Sequence, residues 1–232
     1  MGKAEPSAVD YSDVVIALGP LRLHGILGQP REPRGIVLFA HGSGSGRSSP
    51  RNQFVASALQ QAGIATLLFD LLTADEEYAE RFTRHLRFDI AMLADRLSRA
   101  TRWAIGQPAL AHLPIGYFGA STGAAAALVA TATAAWSTAF EVGAVVSRGG
   151  RPDLAGVALP RVQAPTLLIV GGDDAEVIAL NQQALAQLRC EKELQIVPGA
   201  SHLFEESGTL EAAARFATDW FRRHLHTTAA AA

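Results

Sequence analysis

The chain has 232 residues, of which 49% are hydrophobic and 18% charged, so it is long enough and apolar enough for one large α/β domain with a sizeable core. Its formal net charge of −2 argues against a nucleic-acid or anionic-membrane partner, which would need a basic surface. Cys190 is the single cysteine, which excludes an intramolecular disulfide and a cysteine-based zinc site. The expected partner is a small molecule.

A secretory signal and a transmembrane helix would each show an apolar pattern in the sequence. The first twenty residues lack the apolar run of a secretory signal, and no apolar stretch approaches the ~20 residues of a transmembrane helix. We therefore expect a soluble cytoplasmic protein. Residues 1–226 contain no linker or repeat and are predicted to form a single domain, with residues 227–232 as a disordered tail. Nothing in the sequence indicates an oligomeric state.

Strand-length apolar runs alternate with helical patterns in the first half of the chain, which predicts a mostly parallel sheet with helices on both faces. The first two runs are joined by Gly19-Pro20 and are expected to pair antiparallel. Ser49 and Pro50 predict the start of a helix that Gly63 ends. The predicted strands of this half are 14–18, 21–27, 35–40 and 64–70.

An acidic stretch, "LLTADEEYAERF", follows these strands. Beyond it, Phe82, Leu86, Ile90, Leu93 and Leu97 recur at intervals of three and four residues, the spacing of one helix face. This spacing predicts one long helix.

The second half repeats the alternation, which brings the total to about eight strands. The segment between residues 134 and 173 is too short for a large inserted cap domain. The predicted strands are 115–120, 142–147, 164–172 and 194–198, and the predicted helices are 122–134, 176–189 and 210–225.

The pentapeptide "GASTG" at residues 119–123 places Ser121 between a predicted strand and a predicted helix. A G-x-S-x-G pattern alone is weak evidence. At a tight strand-to-helix turn, however, small residues two positions either side of the serine prevent clashes, and the turn lifts Oγ above the sheet. The alternative is an ordinary serine helix cap. The context favours a nucleophile.

A nucleophilic serine needs a base and an acid that orients the base. Polar groups gather at the carboxyl ends of strands in open α/β sheets, and Asp173, Asp174 and His202 all follow predicted strands. The order Ser, Asp, His is typical of a nucleophile on this kind of sheet. We favour Asp174 as the acid, and Asp173 is the alternative.

The stretch "HGSGSG" after the third strand is rich in small residues, which allow backbone N–H groups to approach an acyl oxygen. The N–H groups of Ser43 and Thr122 are the predicted oxyanion-hole donors. His41 is expected to brace the loop.

The motifs "HGSGSG", "GASTG", "LLIVGGDDAEV" and "VPGASHLFEE" resemble those of the α/β-hydrolases, in particular the compact dienelactone-hydrolase-like members. The resemblance spans nearly the whole chain. It implies a serine hydrolase of the carboxylesterase type that cleaves small or accessible esters, lactones or thioesters through an acyl-enzyme on Ser121. No metal or organic cofactor is expected.

One residue departs from the pattern of that family. Dienelactone hydrolases have a cysteine at the elbow where this chain has Ser121, so their substrate is not carried over. The segment "SRGGRPDLAG" at 147–156 also resembles the family, but its residues suggest no chemical role.

The mouth of the site is expected to include the loop after Asp70, Trp136, Phe140, residues 148–160 and Phe204. Arg81, Arg84 and Arg148 are candidates for binding a substrate carboxylate.

Other functions fit less well. The glycine-rich loop fails the G-x-G-x-x-G pattern, because Arg47 or Ser49 stands where its last glycine belongs, and the chain has no H-E-x-x-H metal motif. An acyltransferase that uses the same triad and a non-catalytic ligand-binding protein remain as alternatives.

Overall fold

The computed structural model describes residues 9–135 and 139–225, which contain one eight-stranded sheet. The strands are β1 (Val9–Leu18), β2 (Leu21–Pro30), β3 (Ile36–Ala40), β4 (Ala65–Phe69), β5 (Ile115–Ala120), β6 (Val142–Arg148), β7 (Thr166–Gly171) and β8 (Lys192–Val197). The helices are α1 (Pro50–Gln61), α2 (Ala74–Thr83), α3 (Ile90–Ile105), α4 (Thr122–Ala134), α5 (Ala175–Gln187) and α6 (Thr209–His224).

The strands follow the order β1-β2-β4-β3-β5-β6-β7-β8 across the sheet. β2 pairs antiparallel with both β1 and β4, and every other pairing is parallel. The predicted antiparallel start and mostly parallel remainder are confirmed. The parallel arrangement brings the carboxyl ends of β3, β5, β6, β7 and β8 to one edge.

Two hydrophobic cores separate the sheet from the helices on its two faces. Side chains alternate along β3, so that Val37 and Phe39 pack into one core and Leu38 into the other. Residues of α1 and α6 complete the core around Phe39, whereas residues of α3, α4 and α5 complete the core around Leu38. The predicted layers are therefore confirmed. Between α4 and β7 the described residues contain only β6 and a short helical segment, Pro152–Arg161, with no large cap.

Local signals explain where the helices begin. The Ser49 side chain accepts a hydrogen bond from Asn52 N–H, and Pro50 occupies the first turn of α1, as the sequence predicts. Thr73 and Glu76 form a reciprocal capping box at the start of α2.

The prediction of one long helix through residues 82–97 is wrong. α2 ends at Thr83, because Arg84 adopts a left-handed conformation at φ 54°, and a single 3₁₀ turn separates α2 from α3. Glu80 stabilises the break by accepting hydrogen bonds from the N–H groups of Leu86 and Arg87. The apolar spacing continues across the break, but Phe82 is exposed.

Two predictions fall partly or wholly outside the described residues. The tail at 227–232 lies beyond them, and so does Trp136. Among the described residues, no helix is both long and apolar enough to span a membrane.

Candidate active site

Ser121 occupies a strained corner between β5 and α4. Its backbone has φ 51° and ψ −124°, which a non-glycine residue rarely adopts, and its side chain makes no capping hydrogen bond to α4. A serine that served only as a helix cap would use its hydroxyl on the N–H groups of the first turn. The conformation is therefore that of a tight strand-to-helix elbow and not that of an ordinary helix cap.

Close backbone contacts explain the glycines around this corner. A Cβ at Gly119 would lie 2.4 Å from Ala124 Cα, and one at Gly123 would lie 2.1 Å from the Ala40 carbonyl oxygen. Gly42 faces the elbow from the β3 loop, where a Cβ would lie 2.9 Å from Ser121 Cβ. The missing side chains let β3, β5 and α4 meet closely enough to form the corner.

His202 and Asp174 are joined by a hydrogen bond of 2.7 Å between Nδ1 and Oδ2. Asp174 is the residue directly before α5, and its carboxylate does not cap that helix. The Asp173 side chain is exposed, and its backbone N–H donates to the Ala200 carbonyl. Of the two candidate acids, the structure pairs Asp174 with the histidine.

This pairing sets the tautomer of His202. An ionised carboxylate only accepts hydrogen bonds, so Nδ1 carries the proton and Nε2 keeps a free lone pair. Ser121 and His202 line the same cavity of about 240 Å³. The hydrogen bonds of the described residues do not include one from Ser121 Oγ to His202 Nε2. Such contacts tighten when substrate binds.

The predicted oxyanion-hole residues lie side by side. Ser43 Oγ and Thr122 Oγ1 are 3.4 Å apart, within hydrogen-bonding distance, although 79 residues separate them in the chain. Thr122 is the first residue of α4, where backbone N–H groups have no partner inside the helix. The β3 loop and the start of α4 therefore meet beside the elbow, where both N–H groups were predicted to act.

His41 braces the loop that carries Ser43. Its Nε2 accepts a hydrogen bond of 2.8 Å from Leu71 N–H, and its Nδ1 lies 2.9 Å from the Gly42 carbonyl oxygen. Because Nε2 accepts, Nδ1 carries the proton and donates it to Gly42. Burial lowers the pKa of His41 below 6.5 and favours this neutral form.

The segment 147–156, whose residue types suggest no chemical role, holds the elbow in place. Ser121 N–H donates to the Arg148 carbonyl at 3.4 Å, and Arg151 N–H donates to the Ser121 carbonyl at 3.0 Å. Gly149, with φ +50°, packs against the backbone of His202, where a Cβ would lie 3.0 Å from the His202 carbonyl oxygen. This one segment contacts both predicted catalytic residues.

The mouth of the site differs in part from the expectation. Phe204 is buried beneath Arg148, and Phe140 lines a separate cavity at the amino ends of β6 and β7. The loop after Asp70 instead lines a neighbouring cavity of about 610 Å³, which shares Ser43 and Arg51 with the first. Of the three candidate arginines, only Arg148 lines either cavity within the described part of the chain.

No group of three or more histidine, cysteine, aspartate or glutamate side chains among the described residues is arranged to hold a metal ion. Cys190 is half-buried, and its Sγ contacts Thr166 on β7 at 3.8 Å, away from the elbow.

The family model described as "Alpha/beta hydrolase domain" matches residues 33–220. The chain belongs to this α/β-hydrolase family. The matched range contains the elbow, the Asp174–His202 pair and the loop of Ser43, so the whole candidate site lies inside the α/β-hydrolase domain.

Solved structures of similar α/β-hydrolases agree with this assignment. A dienelactone hydrolase from Anabaena variabilis is 57% identical, with a TM-score of 0.90 over 94% of this chain and 99% of that chain. Est1E from Butyrivibrio proteoclasticus has a TM-score of 0.75 over 91% of this chain and 98% of that chain. At 14% identity, Est1E supports the fold alone.

Two curated relatives, from the CDC 1551 and H37Rv strains of Mycobacterium tuberculosis, are each 56% identical over 96% of this chain. Both are provisionally named phosphoribosyl transferases. The chain spans about half the length of each of these proteins.

Proposed function

We propose that this α/β-hydrolase is a serine carboxylesterase that cleaves small esters, lactones or thioesters through an acyl-enzyme on Ser121. The observation that carries the proposal is the hydrogen bond from Asp174 to His202, a histidine that lines the same cavity as the strained Ser121. A strained nucleophile, a base with its lone pair free and an acid that fixes the tautomer are the three parts of a hydrolytic triad.

In this mechanism Ser121 Oγ attacks the acyl carbon and passes its proton to His202 Nε2. Asp174 holds Nδ1–H and stabilises the imidazolium that forms. The N–H groups of Ser43 and Thr122 stabilise the negative oxygen of the tetrahedral intermediate. His202 then protonates the leaving alcohol or thiol as the carbon–oxygen or carbon–sulfur bond breaks. Water repeats the sequence and releases the acid.

The size of the cavities supports small substrates. The cavity at Ser121, of about 240 Å³, lies below the ~300 Å³ lower limit of drug-sized pockets, so it accommodates a short acyl group. The neighbouring cavity, of about 610 Å³, leaves space for the leaving group on the other side of Ser43. Short acyl chains should therefore react faster than long ones.

The name of the mycobacterial relatives does not favour a transferase here. Because this chain corresponds to half of each relative, a phosphoribosyl transferase activity of the whole protein does not have to reside in this half. The glycine-rich loop at 42–47 also departs from the G-x-G-x-x-G pattern and from the Lys-Ser or Lys-Thr ending of a P-loop.

The test is hydrolysis of p-nitrophenyl esters of increasing acyl length by the wild type and the Ser121→Ala variant. We expect turnover of the acetate and butyrate esters, a decline at long chains, and a loss of about 10⁴–10⁶ in kcat for Ser121→Ala. A loss below tenfold would refute the assignment. Product analysis with added alcohols separates the acyltransferase alternative, which would form new esters in preference to the free acid.

A further inference from the structure

Among the described residues, one arginine in the wall of the Ser121 cavity forms no ion pair. Arg148 is the last residue of β6 and pairs with Ala120 of β5, so it stands directly beside the elbow. Only 6% of the residue is exposed, and its Nε is buried with no hydrogen-bond acceptor among the residues that the structure describes. Within the described parts of the chain, no carboxylate forms an ion pair with it. Buried charges are normally paired.

A second arginine faces the same cavity. Arg51 lies in the first turn of α1, and its Nη1 lies 3.6 Å from the exposed carboxylate of Glu205. Its Nε is buried with no hydrogen-bond partner in the described parts of the chain. Burial, together with the positive charge of Arg51, lowers the pKa of Arg148 to about 10. Arg148 therefore remains charged at neutral pH beside the like charge of Arg51, and no carboxylate of the described residues forms an ion pair with it.

The only described group that favours the Arg148 cation is an aromatic ring. The guanidinium carbon lies 5.5 Å from the ring centroid of Phe204, a cation–π contact that leaves its N–H groups unused. Phe204 is itself buried and holds φ at 57°. The ring supports the guanidinium at the cavity wall without satisfying its hydrogen-bond donors.

We propose that Arg148 and Arg51 bind an anionic oxygen group of the substrate, a carboxylate or a phosphate, while Ser121 attacks the ester carbonyl of the same molecule. This inference rests on the proposed function. A guanidinium presents paired N–H donors that match the two oxygens of such a group. Ser45 and Ser49 line the same cavity and offer hydroxyl donors. The substrate class is then short esters whose acyl part ends in an acidic group.

A matched set of three substrates tests the proposal. The p-nitrophenyl esters of pentanoic acid, glutaric acid and 4-phosphonobutanoic acid share a similar chain and differ in a neutral, carboxylate or phosphonate end. After subtraction of spontaneous hydrolysis, we expect kcat/KM of the wild type to be at least tenfold higher for one or both anionic esters than for the pentanoate. Which anion is preferred tells a carboxylate site from a phosphate site. Equal kcat/KM values for the three esters would overturn the proposal.

Variants then separate anion binding from a role in packing. Arg148→Met should lower the ratio of kcat/KM for the preferred anionic ester to kcat/KM for the pentanoate at least tenfold, mainly through a higher KM for the anionic ester. Arg148→Lys should keep part of the preference. If Arg148 only supports Phe204 and the His202 loop, the neutral and anionic esters will lose activity in the same proportion, which would contradict the proposal.

A second variant and a direct binding measurement keep the proposal testable if Arg148→Met does not fold. Arg51→Met, on the partly exposed surface of α1, should weaken the same preference by a smaller factor. Calorimetric titration of the folded Ser121→Ala variant with glutarate and with inorganic phosphate should show binding of one of them that Arg148→Lys weakens. Binding without hydrolysis of any ester would refute the proposed function but not the anion subsite. Hydrolysis without anion binding or preference would refute only the subsite.

Discussion

His202 Nδ1 lies 2.7 Å from Asp174 Oδ2, although 28 residues separate the two in the chain. β7 and β8 are neighbours in the sheet, and the loops after their carboxyl ends bring the two side chains together. The bond leaves Nε2 of His202 as the one ring nitrogen free to accept a proton. The proposed role of Ser121 depends on this arrangement.

Replacing Asp174 with Asn should reduce kcat for p-nitrophenyl butyrate by about 10⁴, because an amide can hold the imidazole in the wrong tautomer. Asp173→Asn is the matched control. Its side chain is exposed and forms no hydrogen bond or ion pair with His202 or Ser121, so kcat should remain within about twofold. Steady-state kinetics of both variants decide which aspartate acts. A larger loss in Asp173→Asn than in Asp174→Asn would reverse the assignment.

Gly123→Ala should unfold or strongly destabilise the elbow. The added Cβ would lie 2.1 Å from the Ala40 carbonyl oxygen, and that carbonyl belongs to a buried strand that cannot move aside freely. We expect a loss of about 3 kcal/mol in the free energy of unfolding and a loss of esterase activity. Urea unfolding measures the first and ester hydrolysis the second.

Gly63→Ala is the control for that variant. Gly63 has φ +79°, and a Cβ added there would meet no other atom within 4 Å, so only the left-handed backbone is penalised. The expected cost is about 1 kcal/mol, with activity unchanged. If Gly123→Ala and Gly63→Ala lose the same free energy of unfolding, the close contact with the Ala40 carbonyl is not the reason for glycine at position 123.

His41 should make stability depend on pH between about 7 and 5.5. Burial lowers its folded pKa below 6.5, so below pH 6.5 the unfolded chain binds a proton that the folded protein does not. The contribution of His41 to the free energy of unfolding is therefore complete above about pH 6.5. As the pH is lowered further, this contribution decreases by up to about 1.4 kcal/mol per pH unit until the folded pKa is reached.

Urea unfolding at pH 7.5 and 5.5 measures this dependence. His41→Asn should be less stable than the wild type at pH 7.5, and the difference should shrink at pH 5.5, by at most about 1.4 kcal/mol. The control is His112→Asn, at an exposed position, which should have the same free energy of unfolding as the wild type at both pH values. A difference between wild type and His41→Asn that is the same at both pH values would contradict the neutral, buried form of His41.

Features with a strong local signal were predicted well from the sequence. Apolar runs between turn residues located all eight strands, and glycines at 119 and 123 marked the corner at Ser121 because close backbone contacts require them. The first strand was predicted too short. Residues 9–13 are mostly exposed at the sheet edge, so they carry no apolar pattern.

Features that depend on contacts distant in sequence were missed. The break after α2 is stabilised by Glu80, which accepts hydrogen bonds from the N–H groups of Leu86 and Arg87. The apolar spacing, which predicts one continuous helix, does not indicate these hydrogen bonds. The role of segment 147–156 depends on backbone hydrogen bonds to Ser121, and such bonds leave no trace in residue type. Arg148 was named from the sequence as a candidate for carboxylate binding, but the sequence did not predict that Arg51 of α1 lines the same cavity.

Covalent labelling measures whether Ser121 is the activated nucleophile that the proposed mechanism requires. The protein is incubated with a fluorophosphonate, and the site and extent of labelling are read by intact-protein and peptide mass spectrometry. We predict one label per chain, on Ser121, absent in Ser121→Ala and slowed at least a hundredfold in His202→Ala. A folded wild-type protein that remains unlabelled, or carries its label on another residue, would contradict the account.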